Sequence, residues 1–264
     1  MVYGFMAVQK TYSGPDPIRV NKWLAQEGVC SRREADDLIM QGQVRINGEV
    51  VADLGRKILP GQTLSLADKG QKALAQAVTL VINKPIGYVS AQPEAAQIPA
   101  ARLLTPKAQW GSQRILPDPR WSLAPLGRLD QDSRGLLILS QDGVLTRAII
   151  GPESGVDKEY LVEVLGEITP GKMKLLRHGL SLDGRALKPA KIDRLSPQAL
   201  RFTLVEGRNR QIRRMAEAVG LKVVDLLRVR IGPLELGALP EGRWRPLTVE
   251  ERTALIEAGR ACKA

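Results

Sequence analysis

The run Arg134-Gly135-Leu136-Leu137-Ile138-Leu139 lies between two turn-forming stretches, Gly-Arg-Leu-Asp-Gln-Asp-Ser and Ser-Gln-Asp-Gly, and constrains the fold more than any other feature. A short apolar run bounded in this way reads as a buried strand. Around it, strand-like and helical patterns alternate without a repeat, which places the chain in the α+β class. A small α/β module is expected first. A larger domain should follow. The same stretch raises a chemical question: it sets a carboxylate, Asp130, on a tight turn beside this core, far in sequence from the chain's one histidine, His178.

Residues 17–65 read as the first module. Val20, Trp23 and Leu24 follow helical spacing, and Gly28 ends that helix. Ser31 and Glu34 form the S-x-x-E pattern of a capping box, opening a second helix that Gly42 closes. Two strand pairs follow, turning at Asn47-Gly48 and Pro60-Gly61. Residues 66–77 are polar and alanine-rich, as expected of a linker. The larger domain is expected over 78–253 and a C-terminal tail over 254–264. Within that domain, strands are read at 78–84, 158–168, 199–206 and 221–232. Helices are read after Gly143, from Thr169 as N-cap with Pro170 at the first helical position, and over Asn209–Gly220.

The chain holds 39 basic against 28 acidic residues, a formal charge of +11. A chain this basic usually meets a polyanion, most often nucleic acid. A single histidine removes His-based triads, zinc sites and HExxH chemistry from consideration. The two cysteines, Cys30 and Cys262, stand at opposite ends and read as reduced, unpaired thiols of a cytoplasmic protein. No apolar run approaches the ~18 residues of a membrane span. A nucleotide-dependent enzyme is also disfavoured, because neither GxxxxGK[ST] nor GxGxxG occurs.

The stretch RVNKWLAQEGVCSRREADDLIMQGQVRINGEVV resembles the S4 RNA-binding domain. Arg19, Lys22, Arg32, Arg33 and Arg45 are then available to RNA phosphates, which add affinity and salt dependence without choosing a base. Arg32 and Arg33 fall in the first turn of a helix, where the macrodipole disfavours cations. From residue 79 onward the chain resembles the RsuA/RluF family of rRNA pseudouridine synthases, through GRLDQDSRGLLILSQDG, KEYLVEV, EGRNRQIRRMAEAVG and LLRVRIGPLELGALPEGRWRPL.

That resemblance implies an α+β catalytic domain built on a mixed, mostly antiparallel sheet with flanking helices, and isomerisation of a uridine in RNA with no metal or cofactor. The essential aspartate of the GRLD motif maps to Asp130, which can add to C6 of the ring or C1′ of the ribose, or take a proton from C2′. Burial alone disfavours its charged form, and a guanidinium beside it offsets this. In the family pattern that guanidinium belongs to the QIR segment, here Arg213, with Arg210 and Arg214 expected at phosphates. Tyr160 of KEYLV maps to the aromatic platform for a flipped base, and Leu226 to the aliphatic wall opposite. Lys84 and Arg128 belong to the pocket by position. Asp132 is a decoy for the catalytic acid.

Residues 92–124 form a longer insertion than is usual before GRLD. Arg102, Lys107, Arg114 and Arg120 interleave there with Trp110 and Trp121, so contact with RNA is expected. The segment GRNRQIRRM lies nearer the type acting on large-subunit rRNA, which makes 23S rRNA the favoured partner, with tRNA a further candidate substrate. A monomer without membrane attachment is expected. The rival reading is a noncatalytic RNA-binding or ribosome-assembly factor on the same fold.

Overall fold

The structure, a computed structural model, describes residues 8–261 except 92, 95, 113, 119 and 120. The chain divides into two compact units, one of residues up to Val78 with Gln141–Arg147, the other of Thr79–Ser140 with Ala148 onward.

The first unit joins helices α1 (Val20–Gln26), α2 (Arg32–Met40) and α3 (Asp68–Ala75) to a four-stranded sheet. Its strands are β1 (Gln9–Thr11), β2 (Val44–Ile46), β3 (Glu49–Val50) and β4 (Thr63–Leu66), in the order β1-β4-β2-β3. The expected capping box is present: Ser31 Oγ accepts from the Glu34 amide, and the Glu34 carboxylate accepts from the Ser31 amide. Val20, Trp23, Leu24, Leu38, Ile39, Val44, Ile46 and Leu64 close one core. Tyr12 meets the Trp23 ring edge-on at 5.5 Å between centroids.

The stretch expected as a linker is instead mostly helix α3. Its Gly70 is buried, and a Cβ there would lie 2.9 Å from Gln43 Cβ, so the helix approaches the unit closely. Gln71 Nε2 ties it down by donating to the Leu66 carbonyl at 2.8 Å. Alanine is the strongest helix former, and its local propensity here outweighs the polarity.

The second unit is built on a nine-stranded sheet. Seven strands form its path: β5 (Thr79–Lys84), β6 (Arg134–Ser140), β7 (Lys158–Leu165), β8 (Lys191–Ser196), β9 (Ala199–Leu204), β10 (Lys222–Ile231) and β11 (Trp244–Pro246). Their order is β8-β9-β7-β10-β6-β5-β11, with Ala124–Pro125 beside β6 and Leu234–Glu235 beside β10. Only the β6–β10 neighbours in this sheet run parallel, meeting at Arg134–Leu227 and Gly135–Arg228. The mixed, mostly antiparallel sheet is therefore the one expected. Leu136 through Leu139 are all buried, so β6 is covered on both faces.

Helices α4 (Gly143–Ile150), α5 (Pro170–Arg177), α6 (Gln211–Ala218) and α7 (Val249–Ala261) complete the described chain. Thr169 caps α5 as expected, its hydroxyl accepting from the Lys172 amide. The expected tail is replaced through residue 261 by the end of α7, because Leu255, Ile256 and Gly259 are buried. Cys262 lies outside the described residues, and Cys30 is a buried free thiol. Among the described residues no helix is long and apolar enough to cross a membrane.

Candidate active site

Asp130 sits on the loop that delivers the chain into β6, and five consecutive carbonyls of that loop are held. The Arg128 carbonyl accepts from Arg228 Nη1 (3.3 Å), that of Leu129 from Ser90 Oγ (2.7 Å), and that of Asp130 from the Ser133 amide (3.1 Å). The Gln131 carbonyl accepts from the Gly87 amide (2.8 Å), and that of Asp132 from Arg213 Nη2 (2.7 Å). Ser90 Oγ also accepts from the Leu129 amide at 2.8 Å, which closes a two-bond clamp. With the backbone held from both sides, little of the Asp130 carboxylate's position depends on its own side-chain contacts. Such prior ordering is what a reacting group needs.

The loop enters β6 through Gly135, whose backbone faces Arg228 on β10. One cross-strand row runs Lys84, Gly135, Arg228, Tyr160, Phe202. Side chains in such a row share a face, as do residues two apart on one strand. Leu226 and Arg228 of β10 and Lys158 and Tyr160 of β7 thus come together. They line a cavity of about 620 Å3, completed by the Asp130 loop and the start of α6. Its size is that of a small-molecule site, roughly 300–1,000 Å3.

Six of the expected residues line this one cavity: Asp130, Tyr160, Leu226, Arg128, Arg210 and Arg213. Their ion pairing differs from expectation. Arg213 pairs with the Asp132 carboxylate (3.3 Å), while the guanidinium facing Asp130 is that of Arg210, at 3.6 Å. Arg210 also meets Asp132 at 2.9 Å. The cause is local. Arg210 precedes α6 with φ +48° and ψ +34°, a left-handed conformation uncommon outside glycine, and its side chain reaches the loop carboxylates. Arg213, one turn into the helix, reaches past them to the Asp132 carbonyl and the Ser133 hydroxyl. Burial pushes the Asp132 carboxyl up, but the Arg210 hydrogen bonds and the charges of Arg213 and Arg210 leave it below its ordinary value. Asp132 is thus the hub of this ion-pair network.

Two expected residues stand elsewhere. Lys84 is fully buried, its Nζ donating to the Pro85 and Tyr88 carbonyls at 2.9 and 2.8 Å, so it braces the turn at 85–88, whose Gly87 amide holds the Gln131 carbonyl, rather than lining the cavity. Burial lowers its pKa to about 8, against the opposing pull of Asp130 and Asp132. Arg214 is held by Asp183 at 2.6 Å and turned from the cavity. Conversely, Lys158, Arg228, Ser90 and Arg208 are cavity residues that the motifs left unassigned. Period-two spacing was the available signal for two of them, since Lys158 precedes Tyr160 by two and Arg228 follows Leu226 by two. In the first unit Arg19, Lys22, Arg32, Arg33 and Arg45 are all exposed.

The insertion is ordered by its contacts with β11 and the residue before it. Trp244 Nε1 donates to the Thr105 carbonyl at 2.8 Å, the Trp110 amide to the Trp244 carbonyl at 2.8 Å, and Arg243 Nη1 to the Lys107 carbonyl. Trp110 stays exposed, as do Arg102, Lys107 and Arg114, while Arg120 lies outside the described residues.

A clamped carboxylate, opposed guanidinia and an aromatic over a nucleoside-sized cavity suit nucleophilic or proton-transfer chemistry on a neutral ring. Comparison with known proteins agrees. Residues 78–218 match the family described as RNA pseudouridylate synthase, and residues 18–64 match the S4 domain. The dual-specificity RNA pseudouridine synthase RluF of Escherichia coli K12 is 36% identical over 244 residues, which are 91% of this chain and 79% of that protein. An RNA pseudouridine synthase of Aquifex aeolicus is 34% identical over 245 residues, 91% of this chain and 94% of the relative. A pseudouridylate synthase crystal structure superposes with a TM-score of 0.61 at 28% identity, covering 90% of this chain and 99% of that one.

Proposed function

Given that this chain belongs to the RNA pseudouridylate synthase family and carries an S4 domain ahead of its catalytic part, we propose that Asp130 is the group that isomerises a flipped-out uridine of ribosomal RNA, with 23S rRNA as the favoured substrate. The observation that carries this reading is the five-carbonyl clamp, which spends most of the loop's polar contacts on placing one carboxylate at a cavity wall. The N1–C1′ bond breaks, the uracil turns, C5 joins C1′, the C5 proton leaves, and N1 takes up a proton in its place. Tyr160 and Leu226 hold the base between them, by stacking worth roughly 1–3 kcal/mol on the aromatic side. Arg210, 3.6 Å from the Asp130 carboxylate, sets a positive charge beside it where the base excludes water, and Arg213 positions the loop through the Asp132 carbonyl. Arg128 meets the RNA backbone at the rim. The exposed cations of the S4 domain supply affinity, and the insertion around Trp110 contributes to target choice.

The test is tritium release from transcripts carrying uridine labelled at C5, with both rRNA and tRNA transcripts offered. The native protein should release label from rRNA. Asp130→Asn should lose roughly a thousandfold or more of that rate while binding RNA normally. Asp132→Asn should keep much of it. Equal release by native protein and Asp130→Asn would end the proposal.

A further inference from the structure

Two further cations line the cavity: Arg228, which holds the loop through the Arg128 carbonyl, and Lys158, which has no part in the chemistry described above. Arg228 is 1% exposed, against 33% for the Asp130 side chain, so it lies far deeper. Its Nε donates to the Leu136 carbonyl at 2.7 Å and its Nη1 to that of Arg128, but Nη2 is buried and without a hydrogen-bond partner among the described residues. Lys158 stands beside it: a Cβ built on Gly127 would lie 3.8 Å from Arg228 Nη1 and 3.9 Å from Lys158 Cε. The Lys158 ammonium spends one hydrogen bond, 3.0 Å, on the Val156 carbonyl. Among the described residues neither cation forms an ion pair. A buried guanidinium with an unpartnered donor, beside a half-buried ammonium with hydrogen bonds to spare, is costly unless a ligand supplies an acceptor.

Resting on the reading of this cavity as the uridine site, we propose that Lys158 and Arg228 form a subsite for the carbonyl edge of the flipped uracil. The depth of Arg228, with Lys158 beside it inside the rim, selects the ligand. Backbone phosphates stay at the rim, where Arg128, Lys188 and Arg210 are exposed. Only the base reaches the floor, and uracil presents carbonyl oxygens at O2 and O4. Cytosine carries an amino group in place of O4, which would set donor against donor. The same contacts strengthen during the reaction. Whichever atom Asp130 attacks, the electron pair of the N1–C1′ bond passes to the ring, spreads over these oxygens, and is consumed when C5 bonds to C1′ and releases its proton. Donors that meet charge as it develops favour the transition state over the bound uridine.

The test uses the full chain and the C5-labelled rRNA transcript, with Lys158→Met, Lys158→Arg and Asp130→Asn. Lys158 is chosen because loss of Arg228 from the core would endanger folding. Lys158→Met should lower kcat roughly 10- to 100-fold, the range set by one good discriminating contact to a base edge, with RNA Kd and its salt dependence unchanged. Lys158→Arg should restore most of the rate. A second readout is pH. Burial and the Arg228 charge lower the Lys158 pKa to about 8, with Asp157 opposing. The ammonium is present below that pH and lost above it, so the native rate should fall as pH rises past about 8. The fall should vanish in Lys158→Arg, where Lys84, the other lysine lowered to about 8, is unaltered. Three results would overturn the proposal: full activity in Lys158→Met, a fall in RNA affinity and salt slope matching the fall in rate, which would mark a phosphate contact, or an unchanged alkaline fall in Lys158→Arg. Inactivity of Asp130→Asn in the same assay separates these outcomes from a failure of the aspartate assignment itself.

Discussion

At Gly135 the backbone leaves room for no other residue. Its φ of +106° lies where L side chains are strained, and a Cβ would fall on the Arg228 carbonyl oxygen and 2.8 Å from the Arg228 amide nitrogen. Backbone cannot step aside as a flexible side chain can. Gly135→Ala should therefore cost about 3 kcal/mol or more, read as a lower urea midpoint at unchanged m-value. Gly127→Ala is the control: φ is +86°, but the nearest atom is 3.7 Å away, so about 1 kcal/mol is expected. Much of the residue-level site was legible, because GRLD, KEYLV and QIR each carry one chemically distinctive side chain. The partner of Asp130 was not. Helical spacing frees Arg213 from the core face, but Arg210 takes the position beside the carboxylate through a left-handed backbone that no periodicity reveals.

Among the elements, α7 begins with a T-x-x-E cap that went unread in the sequence and with an ion pair that no local pattern shows. The Thr248 amide donates to Glu251 at 2.9 Å and the Glu251 amide to the Thr248 hydroxyl at 3.2 Å, a capping box, while Arg245 of β11 pairs with the same carboxylate at 2.7 Å. Burial raises the Glu251 carboxyl, but the hydrogen bonds from Arg245 and the Thr248 amide, with the Arg245 charge, bring it below its ordinary 4.5. A depressed carboxylate contributes stability that is present above its unfolded value and lost as pH falls through the folded one. Glu251→Gln should thus lower thermal stability at neutral pH, and the gap from the native protein should close as pH falls below about 4.5. The strands of the large sheet were readable from alternation and apolar runs. Helices α3 and α7 went unread, although alanine propensity favours the first and a T-x-x-E pattern opens the second, because both mix alanine with charge around few apolar residues.

For the molecule as a whole, the excess of 39 basic over 28 acidic residues is put to use at exposed sites. Arg32 and Arg33 open α2, whose first turn favours anions, so each gains by meeting a phosphate. The double change Arg32→Gln, Arg33→Gln should weaken binding to all RNA sequences alike. It should also reduce the slope of log K against log salt by about 1.4, near 0.7 for each phosphate of a single strand that is no longer neutralised. The rate at saturating RNA should stay the same. A sequence-dependent loss, or a fall in that rate, would mean that these arginines act beyond phosphate binding.

Taken alone, the amino-acid order determined the two-part organisation, the sheet type and the reaction class, and pointed to Asp130 as the candidate acid, because caps, turns, alternation and motifs are written over a few neighbouring residues. Only the tertiary structure decided which guanidinium faces Asp130, that Lys84 braces the turn at 85–88 instead of lining the cavity, and that Lys158 and Arg228 line it. Those facts depend on strands far apart in the chain meeting in one register, with Gly135 against Arg228 and Arg228 against Tyr160. Register follows from the packing of the whole sheet, which no short window of sequence contains.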